Sequence, residues 1–151
     1  MKILFLRHAE AISQYEDDFN RPLTEYGQKQ VREVAKHLSI FDLSSFDLAV
    51  SPARRTRETL DLLCDSLKIE SKYQTHDSLY SSDVNQYLDA IRESTSENLL
   101  IVGHNPAISE ALSTLSSMTI SLKTAGWVLI DFDLKTSLGA VILQSDSEGN
   151  Y

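Results

Sequence analysis

Hydrophobic residues follow two alternating patterns along this chain of 151 residues. Short, mostly apolar runs are typical of buried strands, and they occur at residues 2–6, 47–50, 98–102, 127–132 and 138–143, with a shorter candidate at 73–75. Between these runs, apolar residues recur every three or four positions, as on one face of a helix; such stripes cover 31–38, 60–67, 84–91 and 108–115. This alternation predicts a three-layer α/β/α sandwich around a mostly parallel sheet. A short polar link joins the last two strands, so we expect an antiparallel edge there.

The residues before each helical stripe are suited to begin a helix, because Ser, Thr, Asp and Asn side chains can accept the free amides of the first turn. On this basis we predict four N-cap residues: Thr24, Ser51, Asp83 and Asn105. Pro52 and Pro106 would then take the first helical positions, where no amide hydrogen is needed. Gly27 falls in a first turn, where the missing side chain lets another segment approach closely. We expect residues 9–23 to form an irregular excursion over the sheet rim and residues 145–151 to be frayed.

Composition and charge are those of an ordinary globular protein, and we expect one domain over residues 1–151. Hydrophobic residues make up 42% and charged residues 24%. No apolar run approaches the roughly 20 residues that cross a bilayer, so no membrane partner is expected. The formal net charge of -8 argues against nucleic acid as a partner. A lone cysteine, Cys64, and the absence of a long apolar N-terminal run predict a cytoplasmic location, with Cys64 as buried packing.

Polar residues with reactive side chains stand where three of the predicted strands end. Arg7 and His8 follow the first strand, His104 follows the strand at 98–102, and Ser51 follows the strand at 47–50. If these strands are parallel neighbours, their carboxyl ends meet at one edge of the sheet, where open α/β sheets bind ligands. The sequence therefore predicts a shared pocket with two imidazoles and at least one guanidinium.

A basic cluster of Arg54, Arg55 and Arg57 adds to this pocket in an otherwise acidic chain. Arginines are unfavourable in the first turn of a helix, because the helix dipole is positive there. Guanidiniums and helix N-termini both suit a phosphate group, and a histidine among them can attack phosphorus and carry the phosphoryl group. Each residue alone has a simpler interpretation, as a satisfied strand-end histidine or as a solvated arginine paired with Glu58 or Asp61. No two histidines have the spacing of metal ligands, so no metal is expected.

Four blocks in the chain together resemble the histidine phosphatase superfamily, which also contains the cofactor-dependent phosphoglycerate mutases. The segment Leu6-Arg7-His8-Ala9 resembles the family's Arg-His-Gly/Ala signature. The other three blocks follow in the family's order: Arg21-Pro22-Leu23-Thr24 with Gly27, residues 51–59 as Ser-Pro-x-x-Arg-x-x-x-Thr, and Gly103-His104. The resemblance spans residues 2 to about 130. It implies the phosphoglycerate mutase-like α/β/α fold.

The resemblance also implies roles for individual residues. His8 is the expected phosphoryl acceptor, and Arg7, Arg55 and His104 are expected to bind the phosphoryl oxygens. The family's arginine comes four residues after the serine at 51, which selects Arg55 and leaves Arg54 at a variable position. Arg21 is a further candidate phosphate ligand. No metal ion and no cofactor is required.

Three features favour one branch of the family, the SixA-type phosphohistidine phosphatases. The first is that a short chain with Arg21-Pro22-Leu23-Thr24 resembles this branch. Mutases of the family carry a longer insertion between the second helix and the next strand, which covers the substrate. Only about 30 residues separate the stripe at 60–67 from the strand at 98–102 here, so the resemblance implies an open pocket that suits a group on a protein surface. Where many relatives carry Leu-x-Glu, whose glutamate protonates the leaving oxygen, this chain has Leu79-Tyr80-Ser81. Asp77 or Asp83 is an alternative acid. Imidazole, with an ordinary pKa near 6.5, leaves far more easily than an alkoxide.

The expected function is therefore removal of phosphate from a histidine of a signalling or phosphotransfer protein, with inorganic phosphate as the product. A small-molecule phosphomonoesterase that uses Asp77 or Asp83 as its acid is an alternative. A non-catalytic phosphate-binding module and an interaction protein without a pocket are two others.

Overall fold

The structure is a computed structural model that describes residues 1–145. Its elements in chain order are β1 (Lys2–Arg7), α1 (Glu25–Leu38), β2 (Asp47–Val50), α2 (Arg54–Leu67), β3 (Gln74–Thr75), α3 (Val84–Glu93), β4 (Asn98–Gly103), α4 (Ala107–Ser116), β5 (Trp127–Asp133) and β6 (Leu138–Gln144). Two short 3₁₀ helices, Leu43–Ser45 and Asp77–Tyr80, lie in the connections.

The strands form one sheet in the order β3-β2-β4-β1-β5-β6. Neighbouring strands from β3 to β1 run parallel, whereas β5 is antiparallel to β1 and β6 is antiparallel to β5. The predicted α/β/α architecture, with a mostly parallel sheet and an antiparallel edge, is confirmed. Because β2, β4 and β1 are consecutive in the sheet, their carboxyl ends lie side by side, with Arg7 opposite Gly103.

Different helix pairs cover the two faces of the sheet. Ile3 and Phe5 of β1 pack on the side of α3 and α4, whereas Leu4 and Leu6 pack on the side of α1 and α2. This division follows from the two-residue period of strand side chains. A strand that is buried on both faces needs apolar residues at every position, which explains its unbroken apolar run. Cys64 is fully buried in the core beneath α1 and α2, as predicted.

Two of the four predicted N-caps are confirmed. The Thr24 hydroxyl accepts a hydrogen bond of 2.9 Å from the Gly27 amide at the start of α1. The Asp83 carboxylate accepts one of 2.9 Å from the Asn85 amide at the start of α3. Each side chain thus satisfies an amide that the helix itself leaves without a partner.

The prediction for Ser51 is wrong. Ala53 is the N-cap of α2, and the helix begins at Arg54, so Pro52 precedes it. The reason is that Ser51 still belongs to the exit of β2 and its hydroxyl is engaged by His104, which is far away in the sequence. A local capping rule does not anticipate such a partner.

The prediction for Asn105 is wrong for a similar reason. Pro106 is the N-cap of α4, and the helix begins at Ala107. The Asn105 side-chain amide instead donates a hydrogen bond of 2.7 Å to the Leu122 carbonyl. The side chain therefore ties the exit of β4 to the segment before β5.

The last predicted feature, a frayed segment at 145–151, is wrong at its first residue. The Ser145 amide donates to the Trp127 carbonyl at 3.0 Å, and the Ser145 hydroxyl accepts from the Trp127 amide at 3.0 Å. Residues 146–151 lie outside the described residues. The excursion at 9–23 is irregular as expected, with one isolated antiparallel bridge between Ala11 and Leu23.

Candidate active site

His8 lies directly after β1 and is fixed there by its backbone. Its amide donates to the Gly103 carbonyl at 3.1 Å, and its own carbonyl accepts from the Ala125 amide at 3.0 Å. The imidazole Nδ1 lies 2.7 Å from the Ala9 carbonyl oxygen. A carbonyl can only accept, so Nδ1 carries the ring proton. The Nε2 atom of neutral His8 is therefore left with its lone pair.

The His8 ring is held in this neutral form. Burial lowers its pKa to about 4; the hydrogen bond to Ala9 acts in the opposite direction, and the nearby guanidiniums of Arg55, Arg7 and Arg21 lower it further. The residue as a whole is only 8% exposed. At neutral pH, Nε2 is thus unprotonated and can act as a nucleophile.

His104 follows β4 and lies beside His8, with ring centroids 5.3 Å apart. Its Nε2 is 2.7 Å from the Ser51 hydroxyl oxygen, whereas its Nδ1 is buried and has no hydrogen-bond partner within residues 1–145. Burial lowers its pKa to about 3; Arg55 and His8 act in the same direction, and Asp18 acts against them. The structure thus brings together the two histidines that the sequence analysis singled out.

Tyr87 of α3 holds the backbone of His104 in place through a hydrogen bond. Its hydroxyl accepts a hydrogen bond of 3.0 Å from the His104 amide and donates one of 2.7 Å to the Leu79 carbonyl. Gly103 is required for this arrangement, because a Cβ atom there would lie 2.3 Å from the Tyr87 hydroxyl oxygen. In the sequence, Tyr87 is only one position of the apolar stripe 84–91, and a tyrosine on that face gives no sign of a polar partner.

Two guanidiniums, those of Arg7 and Arg55, flank the histidines. Arg7 Nη1 donates to the Leu122 carbonyl at 3.1 Å. Arg55 Nη1 and Nη2 donate to the Asp18 carbonyl at 2.8 Å and to its carboxylate at 3.2 Å. In both arginines Nε is buried and has no partner in the part of the chain that the structure describes. A buried donor without an acceptor costs about 1–3 kcal/mol.

Among residues 1–145, these two Nε atoms and His104 Nδ1 are three buried nitrogens without hydrogen-bond partners at one site. An oxyanion such as a phosphoryl group offers several acceptor oxygens and negative charge, which suits such a set. The arrangement therefore fits a phosphoryl group next to His8.

Arg54 and Arg57 have other roles than Arg55. Arg54 forms an ion pair of 2.6 Å with Glu58 one turn later in α2, and its side chain is 41% exposed, against 7% for Arg55. Arg57 Nε donates to the Pro52 carbonyl at 2.8 Å. The solvated-face interpretation thus holds for Arg54, whereas the Arg55 side chain is buried.

Asp18 is a site residue that the sequence analysis missed. Its carboxylate receives hydrogen bonds from Arg55, from Arg21 at 3.1 Å and from the Tyr80 hydroxyl at 2.6 Å. The Tyr80 hydrogen bond is the main reason that its pKa falls to about 2; burial opposes this, and the arginines add to it. Arg21 also donates to the Ile12 carbonyl at 3.0 Å. Nothing in the local acidic run distinguishes Asp18 from its neighbours before the loop folds.

Tyr80 is the second missed residue. Its ring meets the rings of Phe19 and His104 edge to face, at centroid distances of 5.4 and 5.6 Å. It occupies the variable position of the Leu-x-Glu segment, so the resemblance gave no reason to select it.

The two candidate acids, Asp77 and Asp83, are not brought to the histidines. Asp83 caps α3, and its amide donates to the Ser81 hydroxyl at 3.0 Å. Asp77 begins a 3₁₀ helix with an exposed side chain. Within the described residues neither carboxylate contacts His8, His104 or a site guanidinium. The carboxylate that does reach this cluster belongs to Asp18.

Two further properties of the described residues bear on the site and its surroundings. Within residues 1–145, no three or more histidine, cysteine, aspartate or glutamate side chains are grouped as metal ligands would be. In the same range, every helix is too short or too polar to cross a membrane.

Comparisons with known proteins give a consistent family. The family model of the histidine phosphatase superfamily (branch 1) matches residues 3–87. A phosphohistidine phosphatase SixA homolog of Haemophilus influenzae is 30% identical over 126 residues, which cover 76% of this chain and 77% of that protein. An uncharacterised chloroplast protein of Arabidopsis thaliana is 31% identical over 144 residues, or 85% of this chain and 65% of that protein.

The fold is shared with solved structures. The protein histidine phosphatase SixA in complex with tungstate superposes with a TM-score of 0.82 at 24% identity, covering 95% of this chain and 96% of that chain. At this identity the similarity shows a common fold.

Proposed function

Because this chain belongs to the histidine phosphatase superfamily, we propose that it removes the phosphoryl group from a phosphohistidine on a signalling or phosphotransfer protein. The observation that carries the proposal is the state of His8. Its Nδ1 proton is hydrogen-bonded to the Ala9 carbonyl, which leaves the Nε2 lone pair, and the ring lies near the cations of Arg55, Arg7 and Arg21. This is the arrangement that a histidine nucleophile for phosphorus requires.

The first step is transfer of the phosphoryl group to His8. Nε2 attacks phosphorus in line with the bond to the substrate imidazole; the new P–N bond forms while the old one breaks. The substrate ring leaves as neutral imidazole, because its second nitrogen carries a proton. The His8 ring gains positive charge, which the Ala9 carbonyl stabilises through Nδ1.

The second step is hydrolysis of the phosphoryl group on His8. A water oxygen attacks phosphorus, the P–Nε2 bond breaks, and a water proton is released, which yields inorganic phosphate and neutral His8. The net reaction is hydrolysis of one P–N bond. No metal ion or cofactor takes part in either step.

The roles of the cations follow from their unpaired donors. Arg7 and Arg55 would donate through Nε to phosphoryl oxygens, and His104 would donate through Nδ1. Such donors stabilise the charge on the oxygens during transfer. Arg21 would add an outer contact, since its guanidinium lies beside that of Arg55 on the same Asp18 carboxylate.

Within residues 1–145, the carboxyl group that reaches the site is that of Asp18, and its ionised state supports phosphohistidine over phosphate monoesters as the substrate. Ser81 stands in place of the family's glutamate, and Asp18, with a pKa of about 2, is ionised at neutral pH. An alkoxide leaving group needs a proton that neither residue can supply. The substrate imidazole needs no further proton to leave, because its second nitrogen already carries one.

The partner would be a phosphohistidine-bearing protein in the cytoplasm, acted on by one domain of residues 1–151. The name of the Haemophilus influenzae relative supports this substrate class.

A comparison of substrates tests the proposal. We expect kcat/KM to be clearly higher for a phosphohistidine protein than for any of a panel of sugar and serine phosphates. Faster turnover of a monoester would favour the small-molecule phosphatase instead. Phosphate binding without turnover of any substrate would favour the non-catalytic module.

A further inference from the structure

Ser51 is fully buried at the exit of β2, where its amide donates to the Val102 carbonyl at 3.2 Å. Its hydroxyl oxygen lies 3.3 Å from the Ala53 amide and 2.7 Å from His104 Nε2. Sequence reasoning assigned this serine to the start of a helix, and the family motif gives it no chemical part. Its position between β2 and the second histidine indicates one.

The hydrogen-bonding capacity of each neighbour determines which of them accepts the proton of the Ser51 hydroxyl. The Ala53 amide only donates, so the Ser51 oxygen accepts there. If His104 Nε2 also donated, the hydroxyl proton would have no acceptor within residues 1–145, and a buried unpaired donor costs about 1–3 kcal/mol. If Ser51 donates to Nε2, the hydroxyl proton and the Nε2 lone pair are both satisfied, and Nδ1 is the ring atom left for a bound oxyanion. In a neutral ring the imidazole proton of His104 then sits on Nδ1.

Burial and the neighbouring cations keep His104 neutral, with a pKa of about 3. The tautomer therefore determines what the ring offers. An Nδ1–H group is a donor for a phosphoryl oxygen, whereas an unprotonated Nδ1 would direct a lone pair at it.

We propose that Ser51 is a positioning residue that holds neutral His104 in the Nδ1–H tautomer, so that His104 donates a hydrogen bond to the phosphoryl group. The link to the phosphoryl group rests on the proposed function. The two histidines then have complementary forms. The Nδ1–H group of His8 donates to the Ala9 carbonyl, which leaves its Nε2 lone pair to attack phosphorus. In His104 the Nε2 lone pair accepts from Ser51, which leaves its Nδ1–H group to donate to the phosphoryl group.

Nitrogen NMR on the full chain tests the tautomer directly and needs no substrate. Long-range ¹H–¹⁵N spectra near neutral pH, with His104 assigned by comparison with His104→Gln, should show a protonated Nδ1 and an unprotonated Nε2. In Ser51→Ala the protonated fraction should shift toward Nε2. A wild-type His104 that is charged or protonated at Nε2 would overturn the proposal, and so would an unchanged tautomer in Ser51→Ala.

Kinetics supply the second readout. We expect Ser51→Ala to lower kcat about tenfold, because a smaller fraction of the enzyme holds the competent tautomer, with little change in KM. Ser51→Thr, which keeps the hydroxyl, should restore the tautomer and much of kcat. Ser116→Ala is the matched control, since that buried hydroxyl donates to the Leu112 carbonyl at 2.8 Å, away from the site; it should leave kcat unchanged. Equal losses in the two alanine variants would mean that Ser51 has only a structural role.

The two proposals fail in different ways. The expected tautomer without phosphatase activity would refute the proposed function but not the role of Ser51 in holding the tautomer. Phosphatase activity in a protein whose His104 is protonated at Nε2 would refute the role of Ser51 but not the proposed function.

Discussion

The Asp18 carboxylate forms an ion pair of 3.2 Å with Arg55 Nη2, while the Asp18 backbone carbonyl accepts from Arg55 Nη1 at 2.8 Å. One residue of an irregular loop thus orients the guanidinium that lies beside both histidines. It also places a negative charge beside the guanidinium that would attract a phosphoryl group.

That negative charge should oppose phosphate binding. We expect Asp18→Asn to raise the affinity for inorganic phosphate by about fivefold or more, because one unit charge at roughly 4 Å is worth about 1 kcal/mol even in water. Isothermal titration calorimetry measures this. Asp17→Asn is the matched control, because it removes the same charge from the same loop, and the Asp17 carboxylate accepts hydrogen bonds from Asn20 instead of contacting Arg55. Unchanged or weaker binding by Asp18→Asn would contradict the prediction.

Arg55 should matter far more than its neighbour. We expect Arg55→Ala to lower kcat by on the order of 100-fold or more, as for loss of a donor to a developing oxyanion. Arg54→Ala should change it little, because Arg54 is paired with Glu58 on the exposed side of α2. Steady-state kinetics with a phosphohistidine protein measures kcat for both variants. If Arg54→Ala caused the larger loss, the register of the motif would be wrong.

The buried histidines should make stability depend on pH. Their native pKa values, about 4 for His8 and about 3 for His104, lie below the ordinary value of 6.5. As the pH falls below about 6.5, the unfolded chain takes up protons that the native state does not, so the free energy of unfolding decreases. Urea unfolding at about pH 7.5 and about pH 5 should show this decrease in the wild type and a smaller one in His8→Gln. Equal decreases in both proteins would indicate that His8 is not buried in its neutral form.

Gly27 should be intolerant of a side chain. A Cβ atom there would lie 2.1 Å from the Glu10 backbone oxygen, two residues after His8. We expect Gly27→Ala to lower the free energy of unfolding by about 2 kcal/mol, as for overpacking against backbone. Lys29→Ala, at an exposed position of the same helix, is the control and should change it little. A neutral or stabilising Gly27→Ala would show that the Glu10 segment can move away at no cost.

The sequence predicted those features that depend on local pattern. The unbroken apolar run of β1 requires burial on both faces, and the stripe 31–38 requires a helix beside it, so the layered architecture followed. Thr24 caps α1 as expected because its partner is three residues away. The family motif placed His8 and His104 at strand exits, and the strand order then made them neighbours.

The features that the sequence did not predict depend on distant partners. Ser51 does not cap α2, because His104 engages its hydroxyl across 53 positions. Asp18 reaches Arg55 only once the loop has folded over the N-terminus of α2. There the Phe19 carbonyl accepts a hydrogen bond of 2.9 Å from the Arg54 amide. Proximity in sequence to Ser81 predicted Asp77 and Asp83 as candidate acids, whereas the folded chain brings Asp18 to the guanidiniums of Arg55 and Arg21.

Capture of the phosphoryl group on His8 tests the central claim most directly. The protein would be mixed with a phosphohistidine protein, quenched rapidly under alkaline conditions that preserve phosphohistidine, digested and analysed by mass spectrometry. We expect an acid-labile phosphoryl group on the peptide that contains His8, and no such group in His8→Ala. Turnover of the substrate with the phosphoryl group on another residue, or with no phosphoenzyme at any time, would contradict the account.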